Sequence, residues 1–186
     1  MTVLGNKNKK KNKRNKKWFK AVSDNFYFFP VFIFLIYLIF NMRAVIQRVK
    51  NANVKVNDKI IGKIGFGLLI LLAVHIDDEE SVAGKMADKI VNLRIFEDNN
   101  KKMNLSIKDV GGETLIISQF TLYGDCSRGN RPNFTESARP DKAMSMYERF
   151  IKCLREHKIR VKTGKFGAMM EAELVNDGPV TIILDI

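Results

Sequence analysis

The composition of this chain changes abruptly at Met42, and that break confines a globular fold to residues 42–186. Upstream lies an Asn/Lys-rich tract, then Trp18-Phe19-Lys20-Ala21-Val22, then the apolar run Phe26 to Phe40. Residues 1–41 hold nine lysines and arginines (Lys7, Lys9, Lys10, Lys11, Lys13, Arg14, Lys16, Lys17, Lys20) against Asp24 alone, which is +8 of the net +12. Residues 42–186 therefore carry only about +4, too little for the overall charge to mark a nucleic-acid-coating protein. A local basic patch stays open.

A basic segment ahead of a short apolar stretch has the form of the n- and h-regions of an entry signal. At fifteen residues, with Pro30 inside it, the run falls short of the roughly 20 residues that span a bilayer comfortably. Extending it back to Trp18 would bury Lys20 and Asp24. Three readings stand: an import signal, a signal anchor, or an upstream extension that is not translated, with Met42 as the true start. The A-x-A type of cleavage pattern is missing near Asn41, which counts against simple secretion.

Downstream, strands and helices alternate. With 46% hydrophobic and 28% charged residues the chain has room for one domain with a core. Arg43 to Val49 and Ala52 to Val56 are short and β-branched, and Gly67 to His75 is a nearly continuous apolar run suited to a buried strand. Over Ser81 to Ile95, Val82, Met86, Ile90 and Leu93 recur at helical spacing, with Asp77 and Asp78 placed to cap or charge the N-terminus. A second helix follows Pro140-Asp141, where Ala143, Met146, Tyr147, Phe150, Ile151 and Leu154 form one apolar stripe. Thr114 to Phe120 is another strand, running into the loop Gly124 to Pro132; Lys158 to Lys162, Glu171 to Val175 and Val180 to Asp185 close the set. The expected fold is α+β, two helices with a mostly antiparallel sheet.

The usual chemistries find little here. Cys126 and Cys153 stand in no CxxC or Cys/His ligand spacing, so neither a disulfide framework nor a zinc site is indicated, and small structural thiols are the plainer reading. A nucleophilic triad needs a base beside its nucleophile, and the only histidines are His75, at the end of an apolar strand, and His157, at the C-terminal end of a helix where the dipole favours a cation. Both read as structural. No P-loop, GxGxxG before a helix or HExxH occurs, and no cofactor or metal is implied.

Two short segments do not look generic. In Ser118-Gln119-Phe120-Thr121-Leu122 a polar pair interrupts the strand Leu115-Ile116-Ile117. The other, Asn176-Asp177-Gly178-Pro179-Val180, lies between two strands, and its composition alone favours a simple turn.

Together with the opening Met42-Arg43-Ala44-Val45-Ile46-Gln47-Arg48-Val49, with Gly164-Lys165-Phe166-Gly167 and with Thr181 after the last segment, these stretches resemble, in order, the D-aminoacyl-tRNA deacylases. The resemblance covers essentially all of residues 42–186 and leaves 1–41 out, which sets those residues apart as a separate extension. It implies a barrel-like sheet and a hydrolase that cleaves the ester of D-aminoacyl-tRNA, and of mischarged glycyl-tRNA, in chiral proofreading of translation.

It further implies a homodimer in which a cis Gly178-Pro179 segment of one subunit enters the active site of the other. A cis bond is physically apt at proline, where it costs about 0.5–1 kcal/mol against about 2.5–4 elsewhere. Carbonyls of Gly178 and Pro179 that bind the α-ammonium group would leave an L side chain facing backbone and a D side chain facing solvent, and glycine has nothing to collide. Carried over, Ser118, Gln119, Phe120 and Thr121 line the ester, with backbone N–H groups there stabilising the oxyanion. Thr121 matches a threonine once considered a nucleophile; with no base in view, water assisted by the ribose hydroxyl is preferred. Arg48 would hold the Gly-Pro segment, the alternative being a surface strand cation. Phe166 and Met170 would border the pocket for the terminal adenosine, the alternative being core positions. Arg128, Arg131 and Lys142 are candidates for phosphate contacts, although loop charges are usually only solvated.

The activity implied fits the cytoplasm, with organelle import through residues 1–41 as the alternative. An anchor would put the domain across the membrane, away from tRNA, so membrane attachment enters only if residues 26–40 are kept as one. The rival from another class is a nucleic-acid-binding module that keeps the fold without the hydrolysis, favoured by the basic arm at residues 7–20 alone.

Overall fold

A computed structural model of the chain describes residues 42–186; the readings made of residues 1–41 lie outside them. The strands, in chain order, are β1 (Arg43–Val56), β2 (Lys59–Ile64), β3 (Gly67–Ala73), β4 (Phe96–Glu97), β5 (Met103–Leu105), β6 (Glu113–Ser118), β7 (Arg160–Thr163) and β8 (Glu171–Asp185). The helices are α1 (Glu80–Val91) and α2 (Pro140–Glu156), and a single 3-10 turn spans Phe120–Tyr123.

The α+β expectation holds. Six strands form one sheet in the order β2-β1-β3-β6-β7, with β8 on the flank of β1. Pairs β1–β2, β1–β3 and β1–β8 are antiparallel, whereas β3–β6 and β6–β7 are parallel, so the sheet is mixed. The parallel pairs follow from the helical crossovers that separate those strands.

β3 reads as an unbroken apolar run because it is covered on both faces. Leu68, Ile70 and Leu72 join Ile116 and the apolar stripes of both helices in one core; Leu69 joins Leu115, Ile117, Val54 and Ile64 in a second. The helices supply Ala83, Met86, Ala87 and Ile90 from α1 and Met146, Tyr147, Phe150, Ile151 and Leu154 from α2 to the first core, as the 3.6-residue spacing predicts. Burying each large side chain contributes about 1.5–3 kcal/mol. On the opposite face the sheet curls until β2 meets β7. A Cβ on Gly62 would stand 2.7 Å from the Thr163 carbonyl oxygen, so the barrel-like closure depends on a residue without a side chain.

Several boundaries differ from expectation. The two short opening strands are one 14-residue strand, and β2 escaped the sequence reading because its residues are mostly exposed. α1 stops at Val91 rather than running to Ile95. Asp78 does not cap it: its carboxylate turns back to accept the His75 backbone N–H at 2.7 Å, and the N-cap, Glu79, makes no side-chain cap. The largest departure is at the C-terminus, where Asn176-Asp177-Gly178-Pro179 is not a turn between two strands but an irregular stretch within the single strand β8. Its composition suggested a turn because turns and bulges demand the same backbone freedom.

Candidate active site

The irregularity in β8 has a definite place. Thr181 faces Gln47 and Asn176 faces Val49 on β1, so the whole stretch Asp177–Val180 bulges out opposite one residue, Arg48. Gly178 sits at φ +123°, a conformation few L side chains adopt, and a Cβ there would lie 2.8 Å from Val180 Cγ2 and 2.9 Å from Arg48 Nη2. The Gly178–Pro179 peptide is cis. Asn176 pins the bulge from both sides: its Oδ1 accepts the Val180 N–H at 3.0 Å and its amide donates to the Val180 carbonyl at 3.2 Å.

Arg48 is not a surface strand cation. It is 4% exposed; Nη1 donates to the Ile95 carbonyl at 2.6 Å and Nε to the Asp177 carbonyl at 3.2 Å. The Asp177 carboxylate stands 3.0 Å from the same Nε. The planar fork thus ties the base of the bulge to the segment leaving α1, a task for which lysine lacks the geometry.

At the far end of the sheet, β6 runs out at Ser118, which pairs with Leu72. The Gln119 N–H still reaches the Leu72 carbonyl at 2.8 Å, and the chain then tightens into the Phe120–Tyr123 turn. Phe120 is 54% exposed, its ring edge-on to Phe134 at 5.2 Å between centroids. The side-chain amide of Gln119 donates to the Thr121 hydroxyl; an amide takes no proton, so this contact does not activate Thr121. The first N–H groups of a helical turn have no partner within it, which leaves those of Phe120 and Thr121 as the donors this strand end presents.

Gly164, Phe166 and Met170 lie beside that end. The Gly164 N–H donates to the Ile116 carbonyl at 2.9 Å, and a Cβ on Gly164 would fall 2.6 Å from Met170 Sδ. Phe166, half-buried, tilts against Tyr147 with 5.8 Å between centroids, and Tyr147 donates its own hydroxyl to the Ile116 carbonyl at 2.9 Å. Both Phe166 and Met170 pack at the margin of a core, so core and pocket-border readings are not alternatives.

One separation governs the rest. Arg48 pairs with Leu68 and Leu68 with Thr114, so the bulge lies three strand spacings from β6 and four residues back from Ser118. At ~4.8 Å per strand and ~3.3 Å per residue this is roughly 19 Å across the sheet. The fold joins Arg48 to Gly178–Pro179, and Ser118–Thr121 to Phe166 and Met170, but it does not bring the two groups together within one chain.

Neither histidine supplies a base. His75, 3% exposed, holds Glu136 through Nε2 at 2.9 Å and accepts the Asp77 N–H on Nδ1 at 3.1 Å. His157 Nε2 meets Asp88 at 2.6 Å, linking the two helices. Lys142 donates to the Ile76 carbonyl at 2.6 Å, whereas Arg128 and Arg131 are exposed in their loop. Among the described residues no three His, Cys, Asp or Glu side chains gather as a metal site would require, and no helix is long and apolar enough to cross a membrane. No motif in the sequence marks Arg43, Tyr123 and Asp185 as a group. Their grouping joins residues far apart in the chain, and no local pattern signals it.

A family model described as D-Tyr-tRNA(Tyr) deacylase matches residues 45–185. A protein of Thermosipho africanus named D-aminoacyl-tRNA deacylase is 58% identical over 77% of this chain and 97% of its own length. One of Clostridioides difficile with the same name is 56% identical over the same shares. Among solved structures, one titled c-Myc DNA Unwinding Element Binding Protein superposes with a TM-score of 0.72 at 40% identity, covering 76% of this chain and 97% of that one. A probable eukaryotic D-amino acid tRNA deacylase superposes at 0.68 with 20% identity, covering 78% and 100%, a likeness of fold alone. The matched motifs, the shared sheet and the share of each relative covered lead to one conclusion: this chain belongs to the D-aminoacyl-tRNA deacylase family.

Proposed function

We infer that the protein hydrolyses the ester of D-aminoacyl-tRNA, releasing the free D-amino acid and tRNA. Water attacks the ester carbonyl, and the negative charge that develops on its oxygen is met by the backbone N–H groups of Phe120 and Thr121, fixed dipoles that need no reorganisation during the reaction. Ser118 and Gln119 shape the approach, and Phe166 and Met170 border the terminal adenosine. Among the described residues no side-chain base stands at this strand end, so an adjacent ribose hydroxyl of the tRNA orients the water and relays its proton to the departing ester oxygen of the ribose. The carbonyls of Gly178 and Pro179 receive the α-ammonium group and bar an L side chain by collision. Glycine, lacking one, passes, so glycyl-tRNA is a second substrate.

The observation that carries this reading is the sheet register, which sets the bulge three strands from β6 and four residues back from Ser118, roughly 19 Å along the sheet. If both belong to one site, the bulge must come from a second copy. The surface of β8 suits that role, since among the described residues its strand partner is β1 alone and none of its residues is fully buried. Ile183 is 69% and Val175 49% exposed, more apolar surface than a strand flank ordinarily leaves to water. The protein therefore acts as a homodimer with Gly178–Pro179 of each subunit inserted into the other's site, in the cytoplasm, where charged tRNA is used.

The test is deacylation of D-tyrosyl-tRNA by the wild type and by Ile183→Glu, read beside sedimentation equilibrium. The wild type should be a dimer and active; the variant should be a folded monomer without turnover. A monomer as active as the wild type would refute the shared site, and an inactive wild type would refute the deacylase reading. A DNA-binding role is favoured by one observation, the 40% identical structure titled as a DNA-element-binding protein; duplex-DNA affinity without ester hydrolysis would support it.

A further inference from the structure

The N–H groups of Phe120 and Thr121 sit on the single turn Phe120–Tyr123. Its upstream end is tied to β3 through the Gln119 N–H, and at its two ends the Leu122 N–H donates to the Gln119 carbonyl at 3.2 Å and the Gly124 N–H to the Thr121 carbonyl at 3.0 Å. At its downstream end the turn meets the side chain of Arg43, the first residue of β1. Its Nη1 donates to the Leu122 carbonyl at 3.1 Å, and its guanidinium carbon lies 5.4 Å from the centroid of the Tyr123 ring. The other two guanidinium nitrogens donate to Asp185, Nε to Oδ1 at 2.7 Å and Nη2 to Oδ2 at 3.1 Å. The bidentate pair fixes the plane of the guanidinium, and that plane aims Nη1 at the turn. Tyr123 is itself anchored, buried and edge-on to His75 at 5.5 Å between centroids.

We propose that Arg43, oriented by Asp185, is a positioning residue that sets the turn Phe120–Tyr123, and with it the oxyanion-binding N–H groups, for ester hydrolysis. The inference rests on the deacylase reading above. Asp185 ends β8, the strand that also bears the Gly178–Pro179 bulge, so one strand carries the filter for the partner's site and steadies the oxyanion donors of its own.

A merely structural role, tying β1 to β8, makes a different prediction, and the molecule contains its own control. Lys55 and Glu173 form another β1–β8 ion pair at the opposite end of the strands, remote from the turn. Arg43→Lys keeps the charge but cannot grip both Asp185 oxygens and the Leu122 carbonyl at once. Displacing catalytic groups by an ångström costs on the order of a hundredfold. In the full-length dimer, steady-state deacylation of D-tyrosyl-tRNA should therefore show kcat reduced about ten- to a hundredfold in Arg43→Lys, with KM within about twofold. Asp185→Asn should lose kcat in the same direction and Glu173→Gln should keep it, with melting temperatures close to the wild type in all three. If Arg43→Lys misfolds, Asp185→Asn decides. Folded Asp185→Asn and Arg43→Lys enzymes with unchanged kcat, or a Glu173→Gln enzyme losing as much as they do, would overturn the proposal and leave the deacylase reading intact. A wild type inert toward D-tyrosyl-tRNA would instead remove that reading, and this inference with it.

Discussion

Replacing Arg48 by methionine keeps an unbranched stem of similar bulk and removes the fork. The Ile95 carbonyl loses its 2.6 Å donor in a buried setting, and an unsatisfied buried acceptor costs about 1–3 kcal/mol. The Asp177 carbonyl, at 3.2 Å, is the weaker loss. The Asp177 carboxylate retains a quarter of its side-chain surface and can turn to water, so the penalty for stranding a charge applies only in part. The sum is about 3 kcal/mol, since neighbouring contacts do not add fully, which lowers Tm by roughly 10 °C in a domain of this size. Activity should suffer more than stability, because the freed bulge no longer holds Gly178 and Pro179 in one place. Thermal melting by circular dichroism and D-alanyl-tRNA turnover well below the new Tm measure the two effects. Arg48→Lys should recover part of the stability through Asp177 and little of the turnover. An Arg48→Met protein that melts within about 2 °C of the wild type and still turns over D-alanyl-tRNA at the wild-type rate would refute the assignment of Arg48 as the support of the bulge.

Ser118→Ala should retain a substantial share of activity if, as proposed, water attacks the ester and Ser118 is no nucleophile; trapping an aminoacyl-enzyme at Ser118 or Thr121 would sink that mechanism. Asp78 is 4% exposed with one carboxylate oxygen unpartnered, and burial raises its pKa above 3.8, outweighing the His75 N–H that it accepts. A carboxyl whose folded pKa lies above the unfolded one favours the fold most at low pH, and that contribution is lost as the pH rises from 3.8 through the raised value. Asp78→Asn, which can still accept the His75 N–H, should be at least as stable as the wild type at pH 7 and show a flatter stability profile above about pH 3.8. A variant markedly less stable at neutral pH would show that the charge itself is needed.

Apolar periodicity made both helices legible, because Met146, Tyr147, Phe150, Ile151 and Leu154 all fall on the stripe that the structure buries. The buried strand read over Gly67 to His75 was legible for a related reason, its lack of alternation, and it ends at Ala73. β2 was not, since Ile60 and Ile61 are exposed and a strand that closes a curled sheet through a glycine leaves no apolar pattern. The composition of Asn176–Pro179 indicates backbone freedom but cannot distinguish a turn from a bulge, because the difference lies in what β1 offers opposite. Arg48 likewise needed its partners: an arginine in a strand is equally compatible with water and with the carbonyls of Ile95 and Asp177. The proposed oxyanion donors are main-chain groups, and a role filled by backbone N–H leaves no side-chain signature to read.

The central claim is that fixed backbone carbonyls sort substrates by chirality alone, and the most direct measurement is deacylation of D-alanyl-, glycyl- and L-alanyl-tRNA by the same preparation of residues 42–186. D-alanyl- and glycyl-tRNA should both be cleaved, while L-alanyl-tRNA, one methyl larger than the glycyl form, should survive. Cleavage of L-alanyl-tRNA about as fast as the D form would contradict the filter even with the family assignment intact.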